Sequence, residues 1–365
     1  MADFLPFFII VANLYFFLYL IYFFMPPLIK KFLPANSTRH LPVSVIIAAR
    51  NEKKHLEKFL PEILEQQYPQ FEVILINDGS SDGTLQYLQE QQKNYPAKLK
   101  IISIQSPEGN KKNALNAAIR KASHEVLLFT DADCRPAGPH WIEKMTSHFS
   151  ESAIRIVLGY GKYEPRKGFL NGLIRFDTLL TALQYSGYAL RGMPYMGVGR
   201  NLAYRKSLFI ETNGFSSHNQ IRSGDDDLFV NRNATSQNTT VCLHPDAHTI
   251  SVPKTSWKQW IRQKRRHITT APHYRIRHKL SLAGFAMTYT TVFLTLSYGL
   301  IMGSFLWISI ALLNLTLFGV LLYLFGRQLN DTIPAGMIFV SIPTWIIFQI
   351  LIFVLNLTDK PVQWK

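Results

Sequence analysis

Charged residues are scarce in this sequence, and three long stretches have none. Only 17% of the 365 residues are Asp, Glu, Lys or Arg, and residues 4–29, 280–326 and 332–358 contain no such residue. A helix needs roughly 20 apolar residues to cross a bilayer core, and uncharged runs of this length are rare in soluble cores. Their presence excludes an ordinary soluble globule. It predicts four membrane helices: one in the first stretch, two joined by a tight turn in the second, and one in the third.

Cysteine is nearly absent as well, since Cys134 and Cys242 are the only two in the chain. Their spacing matches no metal-binding motif. We therefore expect both to be buried as small apolar side chains in a reducing compartment.

Acidic residues are missing from a long part of the second half. No Asp or Glu occurs from Ala247 to Asn330, while residues 254–279 carry nine Lys or Arg, with Trp257 and Trp260 among them. This basic segment runs directly into an apolar stretch. We therefore expect it to contact anionic lipid headgroups or a bound polyphosphate, and we expect no nucleic-acid partner.

The same charges predict an orientation. Lys30, Lys31 and Arg39 follow the first apolar stretch, and the basic segment precedes the second. The positive-inside rule then places residues 30–279 in the cytoplasm and both termini outside. Asp3 stands where a signal peptide would be basic, so we expect the first stretch to be an uncleaved anchor.

Between the apolar stretches, residues 37–253 alternate short apolar runs with amphipathic ones. The pattern predicts strands at Val43–Ala49, Phe71–Asn77, Leu99–Ile104, Glu125–Thr130 and Ile154–Tyr160, with helices at 53–66, 81–93, 111–122 and 139–149. Strands rich in Val, Ile and Leu that alternate with helices indicate an α/β domain with a mostly parallel sheet, covered on both faces. Such sheets bind ligands at the carboxyl ends of their strands.

Polar residues follow the first two predicted strands. Asn51 and Glu52 come just after Ala49, and Asp78 opens a tight turn after the second strand. Asp78 could accept a hydrogen bond from a nucleobase N–H, and Gly79 would let the backbone approach closely. A plain capped turn would use the same residue types.

The fourth predicted strand is followed by Asp131 and Asp133. Carboxylates at alternate positions of an extended segment point to the same side. They repel each other unless a hard cation lies between them and an anionic ligand, which predicts a Mg²⁺ or Mn²⁺ site for a diphosphate. An Asp-x-Asp sequence is common in turns, but here it lies at the same sheet edge as Asp78.

Two further clusters complete the pattern. Lys111 opens the helix after the third strand, where a helix N-terminus and a lysine suit phosphate. Asp225, Asp226 and Asp227 are adjacent in a short turn. At least one of them should face a positive group or have a raised pKa, as a general base requires, although a solvated helix start would also tolerate three acids.

This order of motifs resembles that of the membrane-bound family 2 glycosyltransferases. That group includes hyaluronan, cellulose and poly-N-acetylglucosamine synthases and ceramide glucosyltransferase. The resemblance covers about residues 43–267 and the flanking membrane layout, and implies a GT-A nucleotide-sugar fold and inversion at the donor's anomeric carbon. The matching motifs are Val43–Glu52, Asn77–Thr84, Lys111–Asn116, Asp131–Asp133, Gly197–Asn201, Asn213–Phe215, Gly224–Leu228 and Gln263–Arg266.

The resemblance also implies roles for individual residues. Asp78 matches the Asp that contacts uracil, and Lys111 matches the Lys near the diphosphate. Asp133 matches the last Asp of the metal-binding motif, with Asp131 beside it and nearer the donor sugar. The remaining matches are Ala49, Asn51, Glu52, Gln263 and Arg266 on the nucleotide-sugar side and Gly199, Asn201 and His267 on the acceptor side.

The catalytic base has two candidates. The family pattern is Glu-Asp-x-x-Leu, and aligning its Leu with Leu228 selects Asp225. Gly224 then stands where the Glu belongs, and aligning the first acid instead selects Asp226.

One motif departs from the family. Its Gln-x-x-Arg-Trp is Gln263, Arg266 and His267 here, and in polymerising members the Trp helps to form the platform for the acceptor sugar. The His and the small number of membrane helices favour transfer of one or a few sugars to a lipid.

The sequence thus predicts a membrane-bound hexosyltransferase that uses a nucleotide sugar, most simply a UDP-sugar. Its expected parts are a membrane helix in 4–29, a cytoplasmic catalytic domain in 37–253, an interfacial basic segment in 254–279, and three membrane helices in 280–358. The compact layout resembles bacterial members and hence predicts a bacterial inner membrane. A processive polysaccharide synthase is the alternative, and a nucleotide-sugar-binding protein without catalysis is less favoured because both acidic clusters are present. No oligomeric state is predicted.

Overall fold

The computed structural model describes residues 4–30, 40–105, 110–221 and 223–358. Lys31, Arg39 and the expected domain start at residue 37 lie outside these residues.

The strands form two sheets. They are β1 (Val43–Ala49), β2 (Phe71–Asp78), β3 (Leu99–Ile104), β4 (Val126–Asp131), β5 (Cys134–Pro136), β6 (Ile156–Gly159), β7 (Gly161–Tyr163), β8 (Leu202–Arg205), β9 (Thr239–Cys242) and β10 (Thr249–Ser251). The central sheet has the order β3-β2-β1-β4-β8-β6-β9, and the small sheet has the order β5-β10-β7. Strands β1 to β4 pair in parallel, and β8 is antiparallel to β4 and β6. The expected α/β fold with a mostly parallel sheet is confirmed.

Helices surround the central sheet and extend beyond it. They are α1 (Phe4–Tyr19), α2 (Met25–Ile29), α3 (Lys53–Leu64), α4 (Thr84–Asn94), α5 (Lys111–Lys121), α6 (Trp141–Thr146), α7 (Phe169–Leu190), α8 (Lys206–Glu211), α9 (Asp227–Asn233), α10 (Trp257–Ile268), α11 (Ile276–Ile301), α12 (Phe305–Gln328) and α13 (Ala335–Thr358). Every residue of β1 is buried, because this strand lies inside the sheet with helices on both faces. Burial on both faces also explains why the sequence of β1 is almost continuously apolar.

The last predicted strand is shorter than expected. Strand β6 ends at Gly159 and the chain continues past Tyr160 into β7 of the second sheet. The sequence pattern does not predict β8, β9 or β10, because runs of three or four residues are too short to show a period.

Among the described residues, four helices are long and apolar enough to cross a membrane. They are Pro6–Ile29, Ile276–Ile301, Phe305–Gln328 and Ala335–Leu357. The first comprises most of α1, a π-helical turn at Leu20–Phe24, and α2. The count and the one-plus-three arrangement agree with the sequence prediction.

Helix α7 joins the sheet domain to the apolar helices. It contacts β7 and β9 on one side and α2, α12 and α13 on the other. The Arg175 guanidinium lies 2.5 Å from Asp331 between α12 and α13, and the Tyr160 hydroxyl donates to the same carboxylate at 2.6 Å. These contacts fasten the apolar helices to the core of the domain.

Candidate active site

The predicted charged residues converge at the carboxyl edge of the central sheet. Asp78 is the last residue of β2 and Asp131 the last of β4. Lys111 is the first residue of α5, and Asp225 lies in the turn before α9. The structure brings together Lys111, Asp131, Asp225 and Asp226, which line one small cavity.

Lys111 links the two acidic clusters. Its Nζ lies 3.0 Å from Oδ1 of Asp131 and 2.9 Å from Oδ2 of Asp225. Burial alone would lower the pKa of Lys111, but the carboxylates of Asp131 and Asp225 outweigh it and raise this pKa well above its ordinary value. The ammonium therefore stays charged and holds the clusters together.

Asp225 and Asp226 have different proton affinities. Burial would raise the pKa of Asp225, yet the charge and hydrogen bond of Lys111 hold it below its ordinary value. Burial, followed by the negative charges of Asp225 and Asp227, raises the pKa of Asp226 to about 7. Asp226 accepts hydrogen bonds from the N–H groups of Gly199 at 2.6 Å and of Asp227 at 2.8 Å. Asp225 is thus ionised at neutral pH, whereas Asp226 gains and loses its proton near this pH.

Asp227, the third acid of the turn, is also buried. Its carboxylate accepts hydrogen bonds from the hydroxyls of Tyr274 at 2.7 Å and of Thr270. Both partners lie between α10 and α11, so Asp227 connects the acidic turn to the segment next to the apolar helices.

Asp131 and Asp133 form a candidate cation site. Within the described part of the chain, ligand atoms of these two residues and Cys134 lie within 4.8 Å of one another. Burial, and then the charge of Asp131, raise the pKa of Asp133. Two facing carboxylates with this mutual repulsion fit a hard divalent cation such as Mg²⁺ or Mn²⁺.

Both cysteines are buried and free, as expected. Cys134 directly follows Asp133 in the sequence, and the structure keeps its thiol beside the two acids. Its Sγ is 3.5 Å from Oδ1 of Asp133 and 2.9 Å from Oγ of Ser251.

The loops after β1 and β2 are joined by side chains. Asn51 has a φ of 55°, and its Oδ1 accepts a hydrogen bond from the Ser81 N–H at 2.8 Å. Glu52 is buried, with Oε2 at 2.6 Å from His55 Nδ1. Ala49 is buried at the end of β1.

Asp78 is fully buried at the base of these loops. One of its oxygens accepts a hydrogen bond from the Asn110 N–H at 3.2 Å. Because Asn110 also caps α5, the predicted base-contacting residue is tied to the start of the helix that carries Lys111.

Helix α10 lies near the site. Gln263 donates to the Tyr163 hydroxyl at 3.2 Å, and the charge of Arg266 helps to lower the pKa of Asp225. The side chain of His267 is exposed. Desolvation by the surrounding protein, and then the charges of Arg266 and Lys264, lower the pKa of His267 well below its ordinary value.

The predicted acceptor-side residues differ in their placement. Gly199 contacts Asp226 directly, whereas Asn201 is fully buried. The Asn201 amide accepts from Trp141 Nε1 at 3.0 Å and donates to the carbonyls of Tyr160 and Ala247, both at 2.8 Å. Its polar atoms are therefore used inside the fold.

Arg200 lies between Gly199 and Asn201 in the sequence and was not among the predicted site residues. It donates to the Gly161 carbonyl at 3.0 and 2.8 Å, and its guanidinium lies 4.9 Å from the Tyr163 ring centroid. A Cβ on Gly161 would come within 2.4 Å of Arg200 Nε. The signal was present, since Arg200 stands inside the Gly197–Asn201 motif.

Comparisons with known proteins give consistent results. The family model described as Glycosyl transferase family 2 matches residues 44–213. The poly-beta-1,6-N-acetyl-D-glucosamine synthase of Staphylococcus epidermidis is 33% identical over 135 residues, which are 36% of this chain and 32% of that protein. Glycosyltransferase AglE of Haloferax volcanii is 34% identical over 125 residues, or 33% of this chain and 40% of that protein. The chain thus spans less than half the length of these curated relatives.

A solved structure resembles nearly the whole chain. The mannosyltransferase PcManGT from Pyrobaculum calidifontis, in complex with GDP-Man and Mn²⁺, superposes with a TM-score of 0.63 at 19% identity. The similarity covers 96% of this chain and 98% of the other. At this identity it shows a common GT-A fold.

Proposed function

Since residues 44–213 form a glycosyl transferase family 2 domain, we propose that the protein is an inverting glycosyltransferase that moves a sugar from a nucleotide-sugar donor to a membrane-associated lipid. The observation that carries this proposal is the position of Lys111 between Asp131 and Asp225 at the carboxyl edge of the sheet. A diphosphate, a sugar and an attacking hydroxyl could meet there.

The reaction is a single displacement at the anomeric carbon, with the nucleoside diphosphate as leaving group. Asp225 removes the proton of the acceptor hydroxyl, in keeping with the alignment on Leu228, and Asp226 is the alternative base. Lys111 neutralises Asp225 in the structure. A bound diphosphate would compete for the Lys111 ammonium, and Asp225 would become more basic when the donor is in place.

Asp133 and Asp131 would hold a Mg²⁺ or Mn²⁺ ion. Such an ion supplies positive charge that stabilises the diphosphate as it leaves. Lys111 and Arg266 supply positive charge from the protein for the same purpose. Asp78, Asn51 and Glu52, with Ala49, would hold the nucleotide between the loops after β1 and β2, with Gln263 on the α10 side.

The acceptor proposal rests on the surroundings of the site. Helix α10 brings Arg266 near Asp225 and is followed by α11, which is apolar enough to enter a membrane. A lipid hydroxyl or headgroup could thus reach the site along the interfacial segment 254–279, past Gly199 and His267. We further propose that the catalytic domain, residues 37–253, lies in the cytoplasm of a bacterial cell, beneath its inner membrane.

A processive polysaccharide synthase is the second candidate. It is favoured by the 33% identity to the Staphylococcus epidermidis poly-beta-1,6-N-acetyl-D-glucosamine synthase over 135 residues. His267, where the resemblance implies a Trp platform, favours short products instead.

A nucleotide-release screen tests the proposal. The purified full-length protein would be incubated with several UDP- and GDP-sugars, with and without a lipid extract, and the lipids would be analysed by mass spectrometry. We expect release that depends on one donor class and is stimulated by lipid, with a new glycolipid as product. Binding of a nucleotide sugar without release or product under any condition would favour a non-catalytic protein.

A further inference from the structure

Lys112, the neighbour of Lys111, is buried on the other side of the acidic turn. Its side chain is 1% exposed. The Nζ donates to the carbonyl of His218 at 2.7 Å and to the carbonyl of Ile221. Desolvation lowers the pKa of Lys112 to about 8, so the ammonium is still charged at neutral pH. Burying an ammonium is costly, and here its hydrogen bonds go to the backbone that precedes the acids.

His218 continues this set of contacts. It is fully buried, and desolvation, followed by the charges of Lys112 and Arg232, lowers the pKa of His218 to about 4. The ring is therefore neutral. Its Nε2 lies 3.0 Å from the carbonyl oxygen of Gly224, so Nε2 must carry the proton and donate it. The other nitrogen, Nδ1, then accepts from the Ser217 hydroxyl at 3.1 Å.

Gly224, the acceptor of this bond, directly precedes Asp225 and has a left-handed φ of 95°. A Cβ at this position would lie 2.5 Å from a methyl carbon of Leu228. The backbone of the turn is thus packed tightly and has little freedom on the Leu228 side. The Gly224 carbonyl shares a planar peptide group with the Asp225 nitrogen, so a hydrogen bond to it helps to hold the backbone at Asp225.

We propose that Lys112 and His218 are positioning residues that hold the acidic turn, residues 223–227, at the distance from Lys111 that transfer requires. Two successive lysines of α5 then have different roles. Lys111 contacts the Asp225 carboxylate, and Lys112 binds the backbone that leads to Asp225. Lys112 is buried against that backbone, so it would affect transfer by positioning Asp225. The expected effect on sugar transfer rests on the proposed function, whereas the expected effect on the structure of the turn does not.

The test compares Lys112→Met with Lys121→Met in the full-length protein in lipid nanodiscs. Lys121 is an exposed residue in the last turn of the same helix and serves as the control. Hydrogen exchange followed by mass spectrometry reports on a peptide spanning 216–228. We expect faster exchange of this peptide in Lys112→Met alone. We also expect kcat for transfer to fall about 10- to 100-fold while the donor KM changes little, as for a displaced catalytic group.

A second pair of variants covers the case in which Lys112→Met unfolds the domain. His218→Ala removes the donor to Gly224, whereas His218→Gln keeps an N–H that can reach the same carbonyl. We expect His218→Gln to recover most of the kcat and exchange protection that His218→Ala loses. Unchanged exchange of 216–228 in both Lys112→Met and His218→Ala would overturn the inference, and so would faster exchange with an unchanged kcat. A wild-type protein that transfers no sugar would contradict the proposed function, while the exchange data would still decide whether these contacts hold the turn.

Discussion

Asp225 and Asp226 are adjacent, but Lys111 Nζ lies 2.9 Å from Asp225. At Asp226 the negative charges of Asp225 and Asp227 outweigh the positive charge of Lys111. Burial raises both pKa values, and the Lys111 ammonium reverses this effect at Asp225. Pairs of acids whose surroundings separate their pKa values in this way commonly divide the roles of acid and base.

The first prediction separates donor binding from chemistry at these two acids. Asp225→Asn should leave donor affinity nearly intact, since the amide keeps the size of the side chain, and should lower the transfer rate by about 10² to 10⁴. Calorimetric donor binding and a steady-state transfer assay measure the two effects. If Asp226→Asn shows this pattern and Asp225→Asn loses donor binding instead, then the alignment on Leu228 was wrong.

The second prediction concerns pH. The pKa of Asp226 is raised to about 7, so Asp226 is protonated below that pH and ionised above it. Ionisation adds a negative charge beside Asp225 and makes the pair a better proton acceptor. We expect kcat/KM to fall as the pH drops through about 7, and Asp226→Asn to remove this limb or, if Asp226 is the base, nearly all activity. A flat wild-type profile between pH 5.5 and 8 would contradict the assignment.

The third prediction concerns the cation. If Asp131 and Asp133 hold a divalent ion, chelator should abolish turnover, and Asp133→Asn should weaken the metal-dependent part of donor binding. Calorimetry of nucleotide binding with and without Mn²⁺ provides a readout besides activity. Full turnover in excess EDTA would exclude the site.

The residue types of the site could be predicted from the sequence, because Asp78 and Asp131 come at the ends of apolar strands, Lys111 opens a helix, and Asp225 belongs to three adjacent acids in a short turn. Their partners could not. The Lys111 contacts join residues 111, 131 and 225, and only the folded chain brings these segments together. The same holds for Asn201, which the motif placed beside the acceptor and the structure places in the interior.

At the level of elements, α10 is fixed to the helices beneath it by buried contacts. Lys264 Nζ lies 2.8 Å from Asp177 of α7, and the ring of Trp260 stacks on that of Phe348 of α13 at 4.0 Å. The Trp345 indole donates to the other oxygen of Asp177 at 2.9 Å. The helix that carries Gln263 and Arg266 is therefore anchored to α7 and α13 by these contacts.

The fourth prediction tests the Lys264–Asp177 pair, whose side chains are 15% and 8% exposed. Lys264→Met leaves Asp177 buried without its cation, and breaking a buried pair typically costs about 3–5 kcal/mol. We expect a clear drop in the thermal unfolding temperature in detergent, partly reversed in the Lys264→Met, Asp177→Asn double variant. Lys258→Met, at an exposed position of the same helix, should unfold like wild type. Equal unfolding temperatures for Lys264→Met and Lys258→Met would show that the pair contributes little.

The elements were predictable to different degrees for one physical reason. Strands β1 to β4 are six to eight residues long and mostly apolar, long enough to show their burial in the sequence. Strands β8 to β10 have three or four residues, and their pairing depends on a return of the chain after α7 that no local pattern encodes.

Viewed as a whole molecule, the protein is a sheet domain fastened to four apolar helices. Helix α7 lies between them, and the Arg175–Asp331 pair and the Tyr160 hydroxyl secure the connection between α12 and α13. Tyr160 is next to Gly161, whose carbonyl holds Arg200 beside the site. A continuous set of contacts thus runs from the apolar helices to the candidate active site.

The last prediction concerns the length of the product. An enzyme that extends a glycan must hold the growing chain after each transfer, and an aromatic platform and an enclosed path are the physical means of doing so. Where the family resemblance implies a platform Trp, this chain has His267, whose ring offers less stacking area than indole. The four apolar helices that the structure describes could flank a lipid-facing groove but are few for a closed channel.

With a lipid acceptor and a large excess of donor, we therefore expect products that carry one or very few sugars. His267→Trp alone should not convert the protein into a polymerase, because it restores the stacking surface without enclosing a path. Mass spectrometry of the extracted lipids measures product length in both proteins, and Lys258→Met serves as a control for changes at the surface of α10. A ladder of long glycans from the wild-type protein would contradict this reasoning and favour the polysaccharide synthase. Long glycans from His267→Trp alone would show instead that the platform, and not the number of helices, limits the product.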